Sequence, residues 1–252
     1  MFGRARLVCH VLLVETDAHG LVLVDAGFGT DDVADPRARL GGAFTAIAAP
    51  VLDVEETALR RVEALGHDPR DVRHIVLTHM DLDHAGGLSD FPEATVHLTR
   101  AEHAAATEPP TRAERQRYRA CQWSHGAKFA TYEPAGEPWF GFAAVRDLEG
   151  LPPEILLIPI DGHSRGHSAV AVEGDDGWLV HCGDGYFHHD EMDVDDPRCP
   201  PLLRVFQRAV GLDAARMIHN KRRLRELLRD HADEVELFCA HDETELLRLQ
   251  RR

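Results

Sequence analysis

The sequence predicts an α/β protein, either a simple alternation of strands and helices or a layered αββα sandwich. Two observations predict this class. Short apolar runs of strand length recur along the chain, and stretches with helical periodicity separate them. The 252 residues are 44% hydrophobic and 28% charged, which is typical of a globular protein. We therefore expect one domain over residues 1–252.

The individual elements are predicted in the following order. Two Val- and Leu-rich runs at 7–15 and 20–29 indicate a hairpin with a turn at 17–20. An acidic first turn and a glycine stop at Gly66 indicate a helix over 53–66. The remaining strands are predicted at 73–77, 94–98, 155–160, 168–173, 178–182 and 235–240. The remaining helices are predicted near 100–106, 202–210 and 213–230.

The charge balance argues against a nucleic-acid partner. The formal net charge is −15, and a strongly negative protein repels phosphate backbones. The arginines fall mainly in two predicted helical stretches, 219–230 and 111–119, and not beside the candidate site described below. In the first stretch Leu224, Leu227 and Leu228 are expected to turn inward, which leaves the arginines on a solvated face.

The N-terminal run and the cysteines indicate a cytoplasmic protein with no membrane partner. The apolar run at 7–14 is too short to span a bilayer and lacks a small-residue cleavage site. The five cysteines are scattered and form no C-x-x-C pair, which favours reduced thiols over a disulfide framework. The oligomeric state, monomer or homodimer, stays open.

The densest cluster of metal-ligating residue types lies in VLTHMDLDHAGGL, residues 76–88. An apolar run precedes this cluster and two glycines follow it, so we expect it on a loop between two elements. Imidazole and carboxylate groups are the usual protein ligands of divalent transition metals. The candidate residues in this loop are His79, Asp81, Asp83 and His84.

Three further clusters each follow a predicted strand. His163 and His167 follow the first of these strands, Asp184 follows the second, and His241 follows the third. Strand ends that share one edge of a sheet converge in space, so residues far apart in the sequence can form one site. A single histidine is more often structural than a ligand. Four clusters at four strand ends nevertheless predict a common site.

An aromatic, Pro- and Gly-containing segment at about 108–150 separates the first cluster from the later ones. Its rings belong to Trp123, Tyr132, Trp139, Phe140 and Phe142. Long irregular segments are often functional, so one interpretation is an insertion or lid that places an apolar wall, including Trp139, beside the site. The alternative is a satellite hydrophobic cluster under a long loop. Both interpretations stay open.

Together these motifs resemble the metallo-β-lactamase superfamily. THMDLDHAGG, GHSRGH, GD at 183–184 and AHD at 240–242 occur in the family's order with comparable gaps, and LVLVDAGFG resembles its early strand and aspartate. The resemblance covers nearly the whole chain and implies an αββα sandwich with a two-metal site along one edge. The ligands it implies are His79, Asp81 and His163 for one metal, Asp83, His84 and His241 for the other, and Asp184 as the bridge.

The loop departs from the family pattern at one position. The family's usual loop is H-x-H-x-D-H, and Asp81 stands where its middle histidine would be. A carboxylate shifts the preference of a site toward harder ions, and a similar swap with glutamate occurs in the di-iron flavodiiron branch. We therefore expect two divalent ions, zinc first, with iron or manganese as alternatives. Another alternative is that Asp81 points away, which would leave the first site weak or empty.

Two more residues near the motifs receive roles from the resemblance. The family's ligand is the first histidine of the GHSxGH-type turn, so His163 is implied as the ligand and His167 as a supporting residue. The segments HAGGL and HDETE resemble acyl-homoserine lactonases, and Tyr186 would by analogy donate a hydrogen bond to an oxyanion. A core tyrosine is the alternative. The pattern assigns no role to His188 or His189.

The function expected from these features is metal-dependent hydrolysis of an ester, lactone or thioester of a small organic molecule. A metal-bridging hydroxide would be the nucleophile. Asp83 would bind and orient it, and Asp25 would support a ligand imidazole. Two alternatives stay open. One is an iron-dependent redox enzyme of the same fold, and the other is a non-catalytic binding module.

Overall fold

Two β-sheets form the centre of the protein in a computed structural model that describes residues 6–135 and 137–251. The first sheet has the order β1-β2-β3-β4-β5 and the second has the order β6-β7-β8-β9. The strands of the first sheet are β1 (Leu12–Thr16), β2 (Gly20–Val24), β3 (Val72–Val76), β4 (Thr95–Thr99) and β5 (Lys128–Tyr132). Those of the second are β6 (Ile155–Pro159), β7 (Ser168–Gly174), β8 (Gly177–His181) and β9 (Val235–Phe238).

The strand directions explain how distant motifs reach one edge. In the first sheet β1 and β2 form an antiparallel hairpin, and β2 to β5 run parallel. In the second sheet β6, β8 and β9 share one direction, because β7 is antiparallel to both β6 and β8 while β9 is parallel to β8. The segments that follow β6, β8 and β9 therefore leave the second sheet at the same edge.

Alternating residues in the strands face two different cores. Leu23 and Ile75 belong to a cluster on the outer face of the first sheet, whereas Val24 and Val76 pack against the second sheet. Leu157 of the second sheet joins this inner cluster. Side chains of successive strand residues point to opposite faces of a sheet. Both faces of each sheet are buried here, so the sequences of most strands are nearly continuous apolar runs.

Helices cover the two outer faces. The helices are α1 (Thr30–Ala34), α2 (Pro36–Arg39), α3 (Gly42–Ala48), α4 (Ala58–Ala64), α5 (Leu82–Ala85), α6 (Arg100–Thr107), α7 (Arg112–Arg117), α8 (Pro201–Val210), α9 (Ala214–His231) and α10 (Glu243–Leu249). Leu224 and Leu227 of α9 are buried against the second sheet, and Leu228 packs there partly buried, as predicted. The layers are thus helix, sheet, sheet and helix, and the predicted αββα architecture is confirmed.

The segment 108–150 adds a strand to the first sheet and packs side chains into the core beside the second sheet. It contains α7 and also β5, a strand that the sequence analysis did not predict and that pairs in parallel with β4. Farther along, Trp139 is 3% exposed and its ring packs against Phe142 and Trp178. Trp178 lies at the start of β8, whereas Asp184 follows the end of that strand. Trp139 therefore packs in the core away from the edge that carries the candidate ligands.

The described helices include none that could cross a membrane, because none combines sufficient length with sufficient apolar character. All five cysteines are free thiols, in agreement with the expectation drawn from their spacing.

Candidate metal centre

Seven histidine and aspartate side chains meet where the loops after four strands converge. His79 and Asp81 lie in the loop after β3, and Asp83 and His84 lie in the short helix α5 that follows it. His163, Asp184 and His241 follow β6, β8 and β9. All seven residues predicted from the sequence are thus brought to one place.

The first set of residues, named group 1 here, consists of His79, Asp81, His163 and Asp184. The Nε2 atom of His163 lies 3.1 Å from Oδ2 of Asp81 and 3.1 Å from Oδ2 of Asp184. The Nε2 atom of His79 lies 3.3 Å and 3.9 Å from the same two oxygens. Asp81 therefore faces the two imidazoles and does not point away from them.

The second set, named group 2 here, consists of Asp83, His84, His241 and Asp184. Oδ1 of Asp184 lies 3.2 Å from Nε2 of His84 and 2.9 Å from Nε2 of His241. Asp83 stands farther off, with an oxygen 4.0 Å from Nε2 of His84 and another 3.7 Å from Nε2 of His241. One oxygen of Asp184 thus faces group 1 and the other faces group 2.

Backbone contacts fix the position of Asp184 between the two groups. Its backbone N–H donates to Nε2 of His167 over 2.9 Å, and the other ring nitrogen of His167 contacts the carbonyl of Ile160. Gly183 precedes it with a φ of +50°, and a Cβ there would lie 2.8 Å from Cβ of Thr78 and from Nε2 of His167. Only glycine fits that close approach. His167 therefore supports Asp184, in line with its expected supporting role.

Hydrogen bonds made by Nδ1 orient three of the imidazoles. His84 Nδ1 donates to Oδ2 of Asp25 over 2.7 Å, and His241 Nδ1 donates to the carbonyl of Val8 over 2.7 Å. His79 Nδ1 lies 3.0 Å from the hydroxyl of Thr78, which itself donates to Asp25. With Nδ1 as the donor, Nε2 is the ring nitrogen that faces the carboxylates, and it is the nitrogen through which each imidazole would bind a metal ion.

Asp25 performs the supporting role expected of it, and its backbone is unusual. Its carboxylate accepts hydrogen bonds from the backbone and hydroxyl of Thr78 and from His84. Burial alone would raise the pKa of Asp25, but the adjacent His84 imidazole outweighs it and brings that pKa to about 2. The residue has a φ of +59°, in the left-handed region that few residues other than glycine adopt, and such conformations are often found at functional sites.

The imidazoles and carboxylates of the two groups shift each other's pKa values. Burial opposes protonation, yet Asp184 raises the pKa of His241 to about 9, and Asp25 and Asp184 raise the pKa of His84 well above its usual value. Burial would raise the pKa of Asp184, but His241 and its neighbours hold it well below its usual value. Protons on the imidazoles thus balance the carboxylates, and a divalent cation could replace those protons.

Arg117, at the end of α7, binds Asp81 directly, which corrects one expectation. Its Nε and Nη2 atoms donate to the two carboxylate oxygens over 2.5 Å and 2.6 Å, and Nη1 donates to the carbonyls of His163 and Val210. The arginines of 111–119 were expected away from the site, and this is wrong for Arg117. The guanidinium neutralises the negative charge that Asp81 adds in place of an imidazole.

Glu102 of α6 is a second supporting residue that the sequence analysis missed. One carboxylate oxygen accepts from the backbone N–H of Met80 over 3.0 Å, and the other accepts from Ser164 and from the backbone N–H of Gly166. These partners belong to the two loops that carry His79, Asp81 and His163. A glutamate on a helix surface gives no sequence signal for such a role, because the contacts form only in the folded chain.

Tyr186 is a core residue, and the structure does not place it as an oxyanion donor. Its side chain is fully buried in the cluster under α9, and its hydroxyl donates to Oε1 of Glu245 over 2.9 Å. Because the hydroxyl already donates to Glu245, Tyr186 fits the alternative given in the sequence analysis, that of a core tyrosine. His188 and His189 lie outside both groups, in a separate cluster with Asp242, to whose carboxylate His189 Nδ1 donates over 2.8 Å.

The residues of both groups fit a divalent transition metal. Several buried side-chain atoms in the described part of the chain form no hydrogen bond of acceptable geometry, and those that face the centres of the two groups are Nε2 of His79, Nε2 of His84 and Oδ1 of Asp184. Buried polar atoms are normally paired, so unpaired ones aimed at a common centre indicate a bound group. The donor set of imidazole nitrogens and carboxylate oxygens suits zinc, iron or manganese.

Comparison with known proteins identifies the family. A family model described as the metallo-β-lactamase superfamily matches residues 4–232. The chain belongs to the metallo-β-lactamase superfamily. The family implies divalent metal ions, and the two groups provide a candidate site for them in this chain.

Similar members of the metallo-β-lactamase superfamily are named as hydrolases. A protein of Mycobacterium tuberculosis named as a probable metallo-hydrolase is 46% identical over 241 residues, which cover 96% of this chain and 76% of the relative. An N-acyl homoserine lactonase of Azorhizobium caulinodans is 36% identical over 162 residues, which cover 62% of this chain and 57% of the relative.

A solved structure shares the fold. This N-acyl homoserine lactone hydrolase, with N-hexanoyl-L-homoserine bound at its catalytic metal centre, superposes with a TM-score of 0.68. The two sequences are 20% identical, and the match covers 96% of this chain and 84% of that chain. At this identity the likeness concerns the fold alone.

Proposed function

We propose that this protein is a hydrolase that holds two divalent metal ions and cleaves an ester, lactone or thioester of a small organic molecule. The observation that carries the proposal is the placement of Asp184, whose two carboxylate oxygens face different sets of imidazoles. Group 1 would hold one ion and group 2 the other, with Asp184 as their shared ligand. Two nearby divalent ions supply an activated water and polarise an acyl oxygen.

Asp83 is the carboxylate best placed to handle the proton of that water. Its side chain is 23% exposed, against 16% for Asp81 and 5% for Asp184. It also stands farther from the imidazoles than Asp184 does, as the distances above indicate. Asp83 can therefore orient the attacking water and accept its proton at the open side of the site. Asp81 has both oxygens paired with Arg117, which leaves it less basic.

The metals proposed are zinc ions, with iron or manganese as alternatives for group 1. A carboxylate in place of an imidazole favours harder ions, but Arg117 reduces the negative charge that Asp81 brings. This neutralisation supports zinc at a site where an unpaired carboxylate would shift the preference toward harder ions. The iron-dependent redox alternative would therefore need a group 1 that prefers iron in spite of the arginine.

The substrate class rests on apolar rings that border group 2. The ring of Phe187 stacks on His241 at 4.9 Å between centroids, and Phe206 of α8 packs edge-on against Phe187 at 5.8 Å. Phe206 is 43% exposed, and its helix neighbours Leu202 and Val205 are more exposed still. An apolar surface thus runs from the metal groups to solvent along α8, and an acyl or alkyl chain could lie on it.

The metal part of the proposal is tested by metal content. Protein purified without added metal should hold about two transition-metal ions per chain by elemental analysis. His241→Ala should lose close to one of them, because group 2 then lacks an imidazole and group 1 is intact. His219→Ala, which changes an exposed histidine of α9, serves as the matched control and should keep both ions. Full metal content in an Asp184→Ala, His241→Ala double variant would overturn the assignment.

The substrate class is tested by a panel of lactones, aryl esters, thioesters, phosphodiesters and a β-lactam. We expect turnover of the acyl substrates that a chelator abolishes and that zinc restores. Turnover confined to phosphodiesters would contradict the class. Oxygen consumption by the iron-loaded protein without any hydrolysis would favour the redox enzyme, and metal binding without turnover of any kind would favour the binding module.

The apolar surface on α8 is tested by Phe206→Ala. Loss of the ring should raise KM for a long-chain ester more than for a short-chain ester, because the lost contact involves the chain and not the reacting bond. Leu65→Ala, which removes an exposed leucine after α4, is the control and should alter neither KM. An equal change in KM for both esters would show that Phe206 does not recognise the chain of the substrate.

A further inference from the structure

We propose that the thiol of Cys9 is an additional ligand of the metal ion at group 2. This inference rests on the proposed function, since it requires that group 2 binds a divalent ion. The sulfur of Cys9, a carboxylate oxygen of Asp83 and a ring nitrogen of His241 all lie within 4.8 Å of one another. With Zn–N and Zn–S bonds of about 2.0 and 2.3 Å, the ligand atoms of one tetrahedral zinc ion lie roughly 3.3–3.6 Å apart, which is within that limit.

The backbone on both sides of Cys9 fixes its position. The backbone N–H of Val8 donates to the carbonyl of His241 over 3.3 Å, and that of His10 donates to the carbonyl of Ala240 over 2.8 Å. The carbonyl of Val8 in turn accepts from Nδ1 of His241 over 2.7 Å. Cys9 lies between these anchored residues, so its sulfur is held beside group 2 by the contacts that also orient His241.

Two buried ligand atoms of group 2 lack a hydrogen bond of acceptable geometry. They are Nε2 of His84 and Oδ1 of Asp184, which form no such bond with any residue of 6–135 or 137–251, and the two residues are 1% and 4% exposed. Both atoms face the centre of group 2. Cys9 and Asp83 form one close triad with His241, and His84 and Asp184 form another. Cys9 would therefore join the ion on the side of the group that Asp83 and His241 occupy.

The chemistry of the step is a ligand exchange with release of one proton. A sulfur lone pair of Cys9 forms a bond to the ion, the Sγ–H bond breaks, and the proton passes to water. A thiolate is a soft ligand and favours zinc over manganese or magnesium. Group 2 would then prefer softer ions than group 1, whose additional ligand is the carboxylate of Asp81.

The test uses cobalt(II) as a spectroscopic probe in the full chain. Metal-free protein is reconstituted with about two equivalents of cobalt(II), and absorption and bound cobalt are measured for wild type, Cys9→Ser and Cys199→Ser. Wild type and Cys199→Ser should show a near-ultraviolet thiolate-to-cobalt charge-transfer band. Cys9→Ser should lose this band and keep the visible ligand-field bands of bound cobalt.

Each contrary outcome has a distinct meaning. Visible cobalt bands without a charge-transfer band in wild type, or a charge-transfer band that persists in Cys9→Ser, would overturn the role of Cys9 and leave the proposed metal site intact. Absence of bound cobalt in wild type would overturn the metal site and this inference together.

A second measurement avoids any folding defect in the variant. Iodoacetamide labelling of the wild-type protein is quantified at each cysteine by mass spectrometry, with and without zinc. We expect zinc to slow the labelling of Cys9 at least several-fold and to leave Cys199 unchanged. Equal labelling of Cys9 in both samples would contradict the proposal.

Discussion

The pair formed by Asp81 and Arg117 determines what a substitution in the metal loop can achieve. Asp81→His would restore the family's usual loop, but it would leave the guanidinium of Arg117, whose side chain is 17% exposed, without its carboxylate. Removing one partner of a buried ion pair costs about 3 kcal/mol. We expect Asp81→His to lower the free energy of unfolding by about this amount, measured by urea denaturation of the metal-free protein.

The double variant Asp81→His, Arg117→Met separates charge from ligand effects. The double variant has no unpaired guanidinium, so it should recover most of the lost free energy of unfolding. Its ratio of zinc affinity to manganese affinity should be higher than that of wild type. Equal stability of the single and double variants would mean that the ion pair contributes little to folding.

At this scale the sequence predicted which side chains come together and two of their supports, Asp25 and His167, but it did not predict the supports Arg117 and Glu102. His79, Asp83 and His84 lie within one short loop, so their spacing alone indicates a metal site. The contact of Arg117 with Asp81 joins residues 36 positions apart, and that of Glu102 with Gly166 joins residues 64 positions apart. No local pattern encodes such pairs, which depend on where α6 and α7 pack. Tyr186 was assigned by analogy, and its actual partner Glu245 was equally invisible in the sequence.

Helix α6 acts as a support for the metal loops through one side chain. Glu102→Gln would keep one acceptor oxygen but turn the other into an NH₂ group, which cannot accept from the backbone N–H groups that face it. We expect a loss of about 2 kcal/mol of unfolding free energy and a lower metal content, because the loops of group 1 lose their common anchor. Glu108→Gln, at the exposed end of α6, is the control. Unchanged metal affinity in Glu102→Gln would show that the loops hold their position without it.

The strands β3, β4 and β5 are joined by a polar contact inside the sheet that should respond to pH. His97 contacts His74 over 2.9 Å and the hydroxyl of Tyr132 over 2.8 Å, and burial lowers the pKa of His97 to about 3. The unfolded chain binds this proton near pH 6.5 and the folded chain only near pH 3. The contribution of neutral His97 to the free energy of unfolding is therefore fully present above pH 6.5. It is lost as the pH falls toward 3, by up to about 1.4 kcal/mol per pH unit.

The measurement is the unfolding free energy of the metal-free protein at pH 7 and at pH 4.5. Wild type should lose more stability over this interval than His97→Gln, which has no group to protonate at that position. His219→Gln, at an exposed position of α9, should behave as wild type does. An identical pH response of wild type and His97→Gln would exclude this histidine as the source.

The strand pattern was predicted well because most strands are buried on both faces and read as apolar runs. The exception, β5, has the sequence KFATY and lies at the edge of the first sheet with an exposed lysine and half-buried neighbours. An edge strand has fewer apolar contacts, so its pattern is weak. Helices α1 to α3 were missed for a similar reason, since they are short and only Asp32 among the residues of α1 is buried.

On the scale of the whole molecule, each metal group takes ligands from both sheets. Group 1 combines His79 and Asp81, after β3, with His163 and Asp184 from the second sheet, and group 2 is divided in the same way. Bound ions should therefore join the two sheets. An ion at 100 times its dissociation constant adds about 2.7 kcal/mol per site. For a chain of this length each kcal/mol corresponds to about 2–4 °C, so removing both ions should lower Tm by about 10–20 °C.

Differential scanning fluorimetry before and after chelation, and again after zinc is restored, measures this effect. The Asp184→Ala variant, which lacks the shared ligand, should respond to chelation much less than wild type. A Tm that chelation leaves unchanged in wild type would mean that the ions do not link the sheets.

The hydrogen bond between Val8 and His241 also bears on how the protein is made. These residues lie 233 positions apart, so the ribosome adds Val8, whose carbonyl orients His241, 233 residues before it adds His241 itself. Contacts of such long sequence separation form late, because a large loop must close first. During synthesis the loop with His79 and His84 emerges early, while group 2 stays incomplete until residue 241 has left the ribosomal tunnel. A nascent chain shorter than this length cannot assemble the full centre, whatever metal is present.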